Sequence, residues 1–175
     1  MGAKSAVMKP DFRQVVGSEV DEAYAVYFEV FEWLNAKGVR QWLQALPREV
    51  FVERQRQGEL FAHYIEDRIA AVVTVAFDTN PYWSEEIGGD RSWWIWTLAV
   101  ARRYSGARVG EQVMQECETR IRGAGAADAF LDCVAGFLPG YYRRLGYEVL
   151  GRKDTTFPSG NTLPMVLMRK KLARS

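Results

Sequence analysis

The spacing of apolar residues near the start of the chain predicts a short strand followed by a helix. We assign the strand to residues 12–17. In the helix, apolar residues return every three or four positions, which is the spacing of one buried helical face. The residues of that stripe are Ala23, Val26, Tyr27, Val30, Phe31 and Leu34. Ser18 and Asp21 are predicted to cap the N-terminus of this helix as a pair, and Gly38 is predicted to end it.

A second helical region is expected between Gly38 and Gly58, with Pro47 beginning a new turn inside it. The period then shortens to that of strands. "ELFAHYI" and "IAAVVTVAFD" are rich in β-branched and aromatic residues, and the polar "EDR" between them predicts an antiparallel hairpin. "TNPYWSEEIGGD" has the composition of a loop, and "SWWIWTLAV" predicts the fourth strand.

The helical period returns after the fourth strand and alternates with strands to the end of the chain. One face of the next helix carries Val109, Val113, Met114, Cys117 and Ile121. This helix is expected to end near Gly123. "AFLDCVA" then predicts a strand, "LPGYYRRLG" a short helix, and "YEVLGRK" and "PMVLMRKKL" two further strands. The predicted order is therefore β, α, α, β, β, β, α, β, α, β, β.

Composition and charge exclude several classes of protein. A chain of 175 residues with 48% apolar and 26% charged residues is typical of one globular domain, which we place at residues 1–175. The net charge of +1 disfavours nucleic acid and anionic membranes as partners. Cys117 and Cys133 are too few for a disulfide framework or a zinc site. Since no signal peptide or apolar run of roughly 18 residues is found, a cytoplasmic protein is expected.

The stretch "LAVARRYSGARVGEQ", residues 98–112, joins the fourth strand to the next helix through a turn that contains glycine. In a βαβ unit such a turn lies at the carboxyl end of the sheet, where ligands bind. The free amides and the dipole of a helix N-terminus are suited to a pyrophosphate. Taken alone, Gly106 and Gly110 fit a tight turn and close packing equally well.

The order of elements and three short motifs together resemble the GNAT superfamily of acetyl-CoA-dependent N-acyltransferases. The motifs are "LAV" at 98–100, "SGARVG" at 105–110 and "YYRRLGY" at 141–147. The resemblance implies an α/β (α+β) fold with a mixed, mostly antiparallel central sheet of about seven strands flanked by helices. It also implies acetyl-CoA as the co-substrate and no metal.

The glycine signature of the family, Q/R-x-x-G-x-G/A, fits this chain in two registers. We favour the register that begins at Ser105, because it keeps the usual distance from Val100 and places Gly110 in the first turn of the helix. This register leaves Arg108 where the family has glycine, and its guanidinium is suited to phosphate contacts. The other register, Arg103 to Arg108, recovers the arginine but loses the final small residue.

The resemblance also implies roles for individual residues. Backbone groups of Leu98, Ala99 and Val100 would bind the pantetheine arm as an added strand. The pyrophosphate would be held by amides of Ser105, Gly106, Ala107, Arg108, Val109 and Gly110. Ala135 replaces an asparagine that often follows the fifth strand, which removes one contact to the cofactor. Tyr142 matches the tyrosine that protonates the leaving thiolate.

The general base stays open. Some members carry a glutamate four residues before Leu98, where this chain has Trp94. The alternatives are an acidic residue of the upstream loop or the first helix, or an ordered water, and the acidic candidates are Glu85, Glu86, Asp90, Glu29 and Glu32. None is assigned. His63 and Asp132 are expected to be structural, and a cysteine nucleophile is disfavoured because no triad partner is visible.

The leading hypothesis is therefore direct acetyl transfer from acetyl-CoA to the primary amine of a small molecule. Six tryptophans around the predicted acceptor region favour an acceptor with apolar surface or a cation held by cation–π contact, although any single tryptophan is more often core. Two alternatives remain, a non-catalytic acyl-CoA-binding module and an acetyltransferase acting on protein N-termini or lysines. Pairing as a homodimer is compatible with the family.

Overall fold

A computed structural model describes residues 11–173 of the chain. The strands are β1 (Asp11–Gln14), β2 (Leu60–Ile65), β3 (Arg68–Asp78), β4 (Ser92–Val100), β5 (Asp128–Val134), β6 (Glu148–Thr156) and β7 (Thr162–Lys171). The helices are α1 (Glu19–Ala36), α2 (Arg48–Arg56), α3 (Val109–Gly123) and α4 (Leu138–Arg144), and a single 3₁₀ turn spans Arg102–Tyr104. The predicted order of strands and α-helices is confirmed.

The seven strands form one mixed sheet in the order β1-β2-β3-β4-β5-β7-β6. Every neighbouring pair is antiparallel except β4 and β5, which are parallel because α3 carries the chain across between them. The predicted fold class, an α/β protein with a mostly antiparallel sheet, is confirmed.

Strands β4 and β5 separate soon after they meet. Their register contains a single pair, Trp94 with Phe130. Strand β4 also carries one extra residue relative to β3, since Thr74 lies opposite Trp96 whereas Val72 lies opposite Ala99. The bulge includes Thr97, whose φ of +56° is unusual for a β-branched residue. The carboxyl-terminal halves of β4 and β5 therefore border an opening in the sheet.

Each face of the sheet is covered by helices, so the core has two layers. The predicted stripe of α1 is buried on one face, except Phe31, which is partly buried. On the other face, α3 buries its predicted stripe, and Cys117 and Cys133 are free and buried there. Among residues 11–173 no helix is both long enough and apolar enough to cross a bilayer.

The predictions for the ends of α1 are half right. Gly38 ends the helix as expected, because it adopts a φ of +72° and Val39 N–H donates to the Leu34 carbonyl. The predicted capping pair is wrong. Ser18 has helical backbone angles and makes no capping hydrogen bond with its side chain. The Glu19 carboxylate accepts the Val16 N–H instead, which leaves no role for Asp21 as the reciprocal partner.

Two further boundaries differ from the prediction. The first strand is Asp11–Gln14, so it begins one residue before the predicted range 12–17 and ends three residues before it does. Between Gly38 and Gly58 only Arg48–Arg56 is helical, and Pro47 stands just before this helix with φ −60° and ψ 148°. Residues 41–44 form bends. This segment is held by hydrogen bonds to α1, since Tyr24 donates to the Leu46 carbonyl and Leu46 N–H donates to Tyr27.

Candidate functional site

A cavity of about 640 Å³ opens where β4 and β5 separate. Its floor is formed by residues 95–98 of β4 and 131–134 of β5. The segment 41–54 covers one side, and the turn between β6 and β7 contributes residues 157–159 on another. Residues 79–82 and α4 complete the wall. The cavity is thus bounded by six separate parts of the chain.

Aromatic side chains line part of this cavity, and tryptophans divide between the cavity and the core. Trp42, Tyr82, Trp96 and Phe157 are lining residues. Trp83 and Trp94 are fully buried, and the Trp94 indole donates to the Asp78 carbonyl. Trp33 is exposed on α1 beneath Arg102, whereas Trp93 packs toward α3. The predicted aromatic wall therefore rests on two of the six tryptophans.

Arg54 on α2 is the cationic residue of the cavity wall among residues 11–173. Its guanidinium lies 2.6 Å from a carboxylate oxygen of Glu59 and 3.6 Å from one of Asp78. It also lies 5.3 Å from the centre of the Trp96 ring. Two carboxylates therefore already compensate the charge of Arg54, which leaves it poorly available to a further anion.

Asp132 on β5 lines the same cavity. Its Oδ2 accepts hydrogen bonds from the Asn80 amide at 3.1 Å and from the Trp83 indole at 3.0 Å. The other end of Asn80 is fixed as well, because its Oδ1 accepts the Tyr82 N–H. Burial raises the pKa of Asp132, and the bonds from Asn80 and Trp83 offset only part of that rise.

Tyr142 on α4 lines the cavity from the side of α3. No hydrogen bond joins its hydroxyl to another described side chain, and its ring packs against Tyr141 and Tyr147. Burial raises the pKa of Tyr142 far above its ordinary value. The hydroxyl is therefore protonated at any physiological pH and free to donate into the cavity.

The loop before α3 presents unpaired backbone amides. The first hydrogen bond of the helix runs from Gln112 N–H to the Arg108 carbonyl. Within residues 11–173 the N–H groups of Gly106 and of residues 108–111 therefore have no acceptor. Gly106 and Arg108 both adopt left-handed backbone angles, with φ of +80° and +59°. Free amides at the positive end of a helix dipole are suited in principle to an anion such as a phosphate.

Gly110 has a packing reason for lacking a side chain. A Cβ atom at this position would lie 2.7 Å from the Tyr141 hydroxyl and 3.7 Å from Val100 Cγ2. Tyr141 in turn stacks edge-on against Tyr142, with ring centres 5.1 Å apart. The first turn of α3 and the tyrosine pair of α4 are thus in direct contact, although they come from separate motifs.

The edge of β4 that faces β5 is open beyond Trp94. Ala99 and Val100 pair with β3 on their other side, and Ala101 N–H donates to the Ala70 carbonyl. No strand pairs with Leu98, Ala99 or Val100 on the β5 side within the described part of the chain. The structure therefore leaves a free strand edge where a pantetheine arm is predicted to bind.

The acidic residues considered from the sequence as bases lie elsewhere. The five are exposed, and none lines the cavity: Glu29, Glu32, Glu85, Glu86 and Asp90. Glu29 accepts the Arg102 N–H, and Glu86 is paired with Lys153. His63 is buried on β2, with neither ring nitrogen hydrogen-bonded to a described residue, and burial lowers its pKa. It does not line the cavity.

Asp132 was expected from the sequence to be structural, and its hydrogen bonds from Asn80 and Trp83 agree with that expectation, but its position on the cavity wall was not predicted. The alternation of "AFLDCV" places it on the same face as Phe130, opposite to Leu131 and Cys133. This pattern was readable from the sequence, but the cavity above that face was not. Across residues 11–173 no cluster of three His, Cys, Asp or Glu side chains is placed to hold a metal ion.

Comparison with known proteins identifies relatives of the chain. Residues 27–147 match the model of the acetyltransferase (GNAT) family. The uncharacterized N-acetyltransferase YesJ of Bacillus subtilis (strain 168) is 33% identical over 129 residues, which are 69% of this chain and 71% of that protein.

Solved structures show the same fold at low identity. A GNAT-family acetyltransferase from Listeria monocytogenes superposes with a TM-score of 0.77 at 19% identity, covering 93% of this chain and 95% of its own. The Drosophila melanogaster polyamine N-acetyltransferase superposes with a TM-score of 0.69 at 16% identity, covering 94% of this chain and 100% of its own.

Proposed function

The chain belongs to the acetyltransferase (GNAT) family, and from that premise we propose that it moves the acetyl group of acetyl-CoA to the primary amine of a small molecule. Acetyl-CoA supplies the acetyl group as a thioester. The observation that carries the proposal is the position of the cavity, which begins at the free edge of β4 and contains both Tyr142 and Asp132.

The residues around α3 fit the co-substrate. The free amides of Gly106 and residues 108–111 are suited to its pyrophosphate. Arg108 is exposed and pairs with Glu111 at 2.8 Å, so it would add a charge-assisted contact only by exchanging that partner. Leu98, Ala99 and Val100 offer backbone groups to the pantetheine arm. Of the predicted set, Ser105 N–H donates to Arg102 and Ala107 N–H to Tyr104, so their amides are engaged.

The size of the cavity favours a small acceptor over a protein. Segment 41–54 and residues 157–159 both contribute to its lining. A peptide substrate needs an extended groove, whereas a volume of about 640 Å³ is in the range of small-molecule sites. The Drosophila relative, a polyamine N-acetyltransferase by name, has this fold with a small amine as acceptor.

In this mechanism Tyr142 acts as the general acid. Its hydroxyl is held protonated by burial and carries no other hydrogen bond to a described side chain. It is therefore available to donate to the sulfur as negative charge develops there. The open edge of β4 and the loop amides would hold the co-substrate beside the acceptor, as direct transfer without a covalent enzyme intermediate requires.

The test is a thiol-release assay with acetyl-CoA against a panel of small primary amines, comparing Tyr142→Phe with Tyr141→Phe. Tyr141 is the matched control because it is the neighbouring tyrosine and its hydroxyl points at Gly110. Tyr142→Phe is expected to lower kcat by about a hundredfold or more with little change in KM. Tyr141→Phe is expected to retain most of the activity.

Three results would contradict the proposal in different ways. Absence of a saturable rise in melting temperature with CoA would remove the co-substrate site. Binding of CoA without thiol release for any amine would show that small primary amines are not the acceptors. Equal activity of the two variants would show that Tyr142 is not the general acid.

A further inference from the structure

Asp132 differs from the other carboxylate of the cavity by having no cation beside it. Asp78 lies 3.6 Å from the Arg54 guanidinium. Asp132 forms no ion pair with any Lys, Arg or His of residues 11–173, and its hydrogen-bond donors Asn80 and Trp83 are uncharged. Since a buried carboxylate without a cation is costly, this position is unfavourable unless a positive group binds there at some stage.

Two hydrogen bonds hold the Asp132 carboxylate in one orientation. Both go to Oδ2, from the Asn80 amide and the Trp83 indole, and the Trp96 side chain also acts as a donor that lowers the pKa of Asp132. Asn80 and Trp83 come from the loop after β3, and Asn80 is itself buried and fixed. Asp132 is thus a rigidly held carboxylate at the cavity wall whose described side-chain donors are all uncharged.

The remaining wall of the cavity is suited to an apolar body. Trp42, Trp96 and Phe157 contribute aromatic surface. Arg54 is already bound to two carboxylates, so it offers little to an acceptor carboxylate. A ligand that matches this wall carries one positive end and an uncharged body.

We propose that Asp132 binds the ammonium group of the acceptor and removes its proton, and that the acceptor is a primary amine with an aromatic or aliphatic body and no carboxylate. This inference rests on the proposed acetyl transfer and names the acceptor class and the base for it. Asp132 on β5 thereby takes the role of general base, which the buried Trp94 on β4 is unable to fill.

The overall reaction converts an ammonium group and a thioester into an amide, a thiol and one proton. Oδ1 of Asp132 accepts one proton from R–NH₃⁺ and later releases it to solvent. The neutral nitrogen attacks the thioester carbonyl, so a C–N bond forms and the C–S bond breaks. The nitrogen then loses a second proton to solvent, and the sulfur gains one from the Tyr142 hydroxyl. Solvent returns a proton to the Tyr142 oxygen. The products are the amide, the CoA thiol and one proton.

Burial supports this role because a raised pKa makes the carboxylate a stronger base. A bound ammonium favours the ionised form of the Asp132 carboxylate, so binding of the amine and ionisation of Asp132 promote each other. The titratable groups that share the cavity wall with Asp132 are Arg54, Asp78, Tyr82, Cys133 and Tyr142.

The experiment compares Asp132→Asn with Asp128→Asn, and the probes are 2-phenylethylamine and its neutral isostere 2-phenylethanol. Asparagine keeps an oxygen for the bonds from Asn80 and Trp83 but carries no charge. Asp128 is the matched control because it stands on the same strand and face, 3.9 Å from Arg169 and outside the cavity. Thermal shift with CoA present measures binding, and thiol release from acetyl-CoA measures turnover across pH 5–9.

In wild type and Asp128→Asn we expect the amine, but not the alcohol, to raise the melting temperature. Asp132→Asn is expected to lose that rise, to lose at least about a hundredfold in kcat/KM, and to lose the acidic limb of the pH profile. Equal binding, rate and pH profile in the two variants would overturn the role of Asp132. A wild type that binds CoA and acetylates other amines, but not this one, would overturn the acceptor class while leaving the proposed function intact.

Discussion

Replacing Gly110 with alanine is a direct test of the contact between α3 and α4. The new Cβ would lie 2.7 Å from the Tyr141 hydroxyl, whereas ordinary contact begins near 3.4 Å. The hydroxyl must therefore retreat by about 0.7 Å or the first turn of α3 must move. Neither movement is free, because Tyr141 packs against Tyr142 and α3 packs against the sheet.

The expected cost follows from two opposing effects. Overpacking of a packed site costs about 1–3 kcal/mol. Replacing glycine by alanine in a helix returns about 0.5–1 kcal/mol at most. The net loss in free energy of unfolding is therefore at most about 2.5 kcal/mol, with a middle value of about 1 kcal/mol. For a chain of this length, a loss of about 1 kcal/mol lowers Tm by about 2–4 °C.

Urea unfolding of four variants isolates the contact. Gly123→Ala is the control, since it lies in the same helix with no atom within 4 Å of the added Cβ, and it should be neutral or stabilising. In a Tyr141→Phe background the nearest ring atom to the new Cβ is Cζ at 3.9 Å. Gly110→Ala should then cost nothing, giving a coupling energy of about 1–3 kcal/mol. If Gly110→Ala destabilises equally with and without the hydroxyl, the packing explanation is wrong.

Two further substitutions test local electrostatics and backbone strain. Glu19 accepts hydrogen bonds from Arg13 and Tyr64, and the bond from Arg13 is the main reason that its pKa falls to about 2. A lowered pKa contributes stability above pH 4.5 that is lost as pH falls toward 2, so Glu19→Gln should cost about 2 kcal/mol in urea unfolding at pH 7 and progressively less below pH 4. A cost independent of pH would contradict this. Arg108→Gly should raise the free energy of unfolding by about 1 kcal/mol relative to Arg108→Lys, because the left-handed conformation is strained for lysine and arginine alike. Equal stability of the two variants would show that the strain is absent.

Much of the fold was predictable because the sequence of each element carries the apolar spacing of its own helix or strand. The β-branched run of β3 and the four-residue spacing of apolar residues on α3 are each satisfied by the segment itself. The capping of α1 was not predictable in this way. Ser18 has the right residue type, but the Glu19 carboxylate is drawn to the Val16 amide and to Arg13, which lies on another element. A partner six residues away decided a question that local propensity left open.

The candidate site depends on long-range pairing to a greater degree. Trp94 and Trp96 share one face of β4, yet Trp94 is core and Trp96 lines the cavity. The difference arises because Trp94 still pairs with Phe130, whereas β4 bulges at Thr97 and leaves β5. Because of the same divergence, Asp132, two residues after Phe130, has no β4 residue paired beside it and lines the cavity. The sequence of neither strand alone predicts where the two strands separate. The alternation of a strand therefore predicts which face of the sheet each side chain occupies. Whether that side chain is buried in the core or lines a cavity depends on where the neighbouring strand stops pairing.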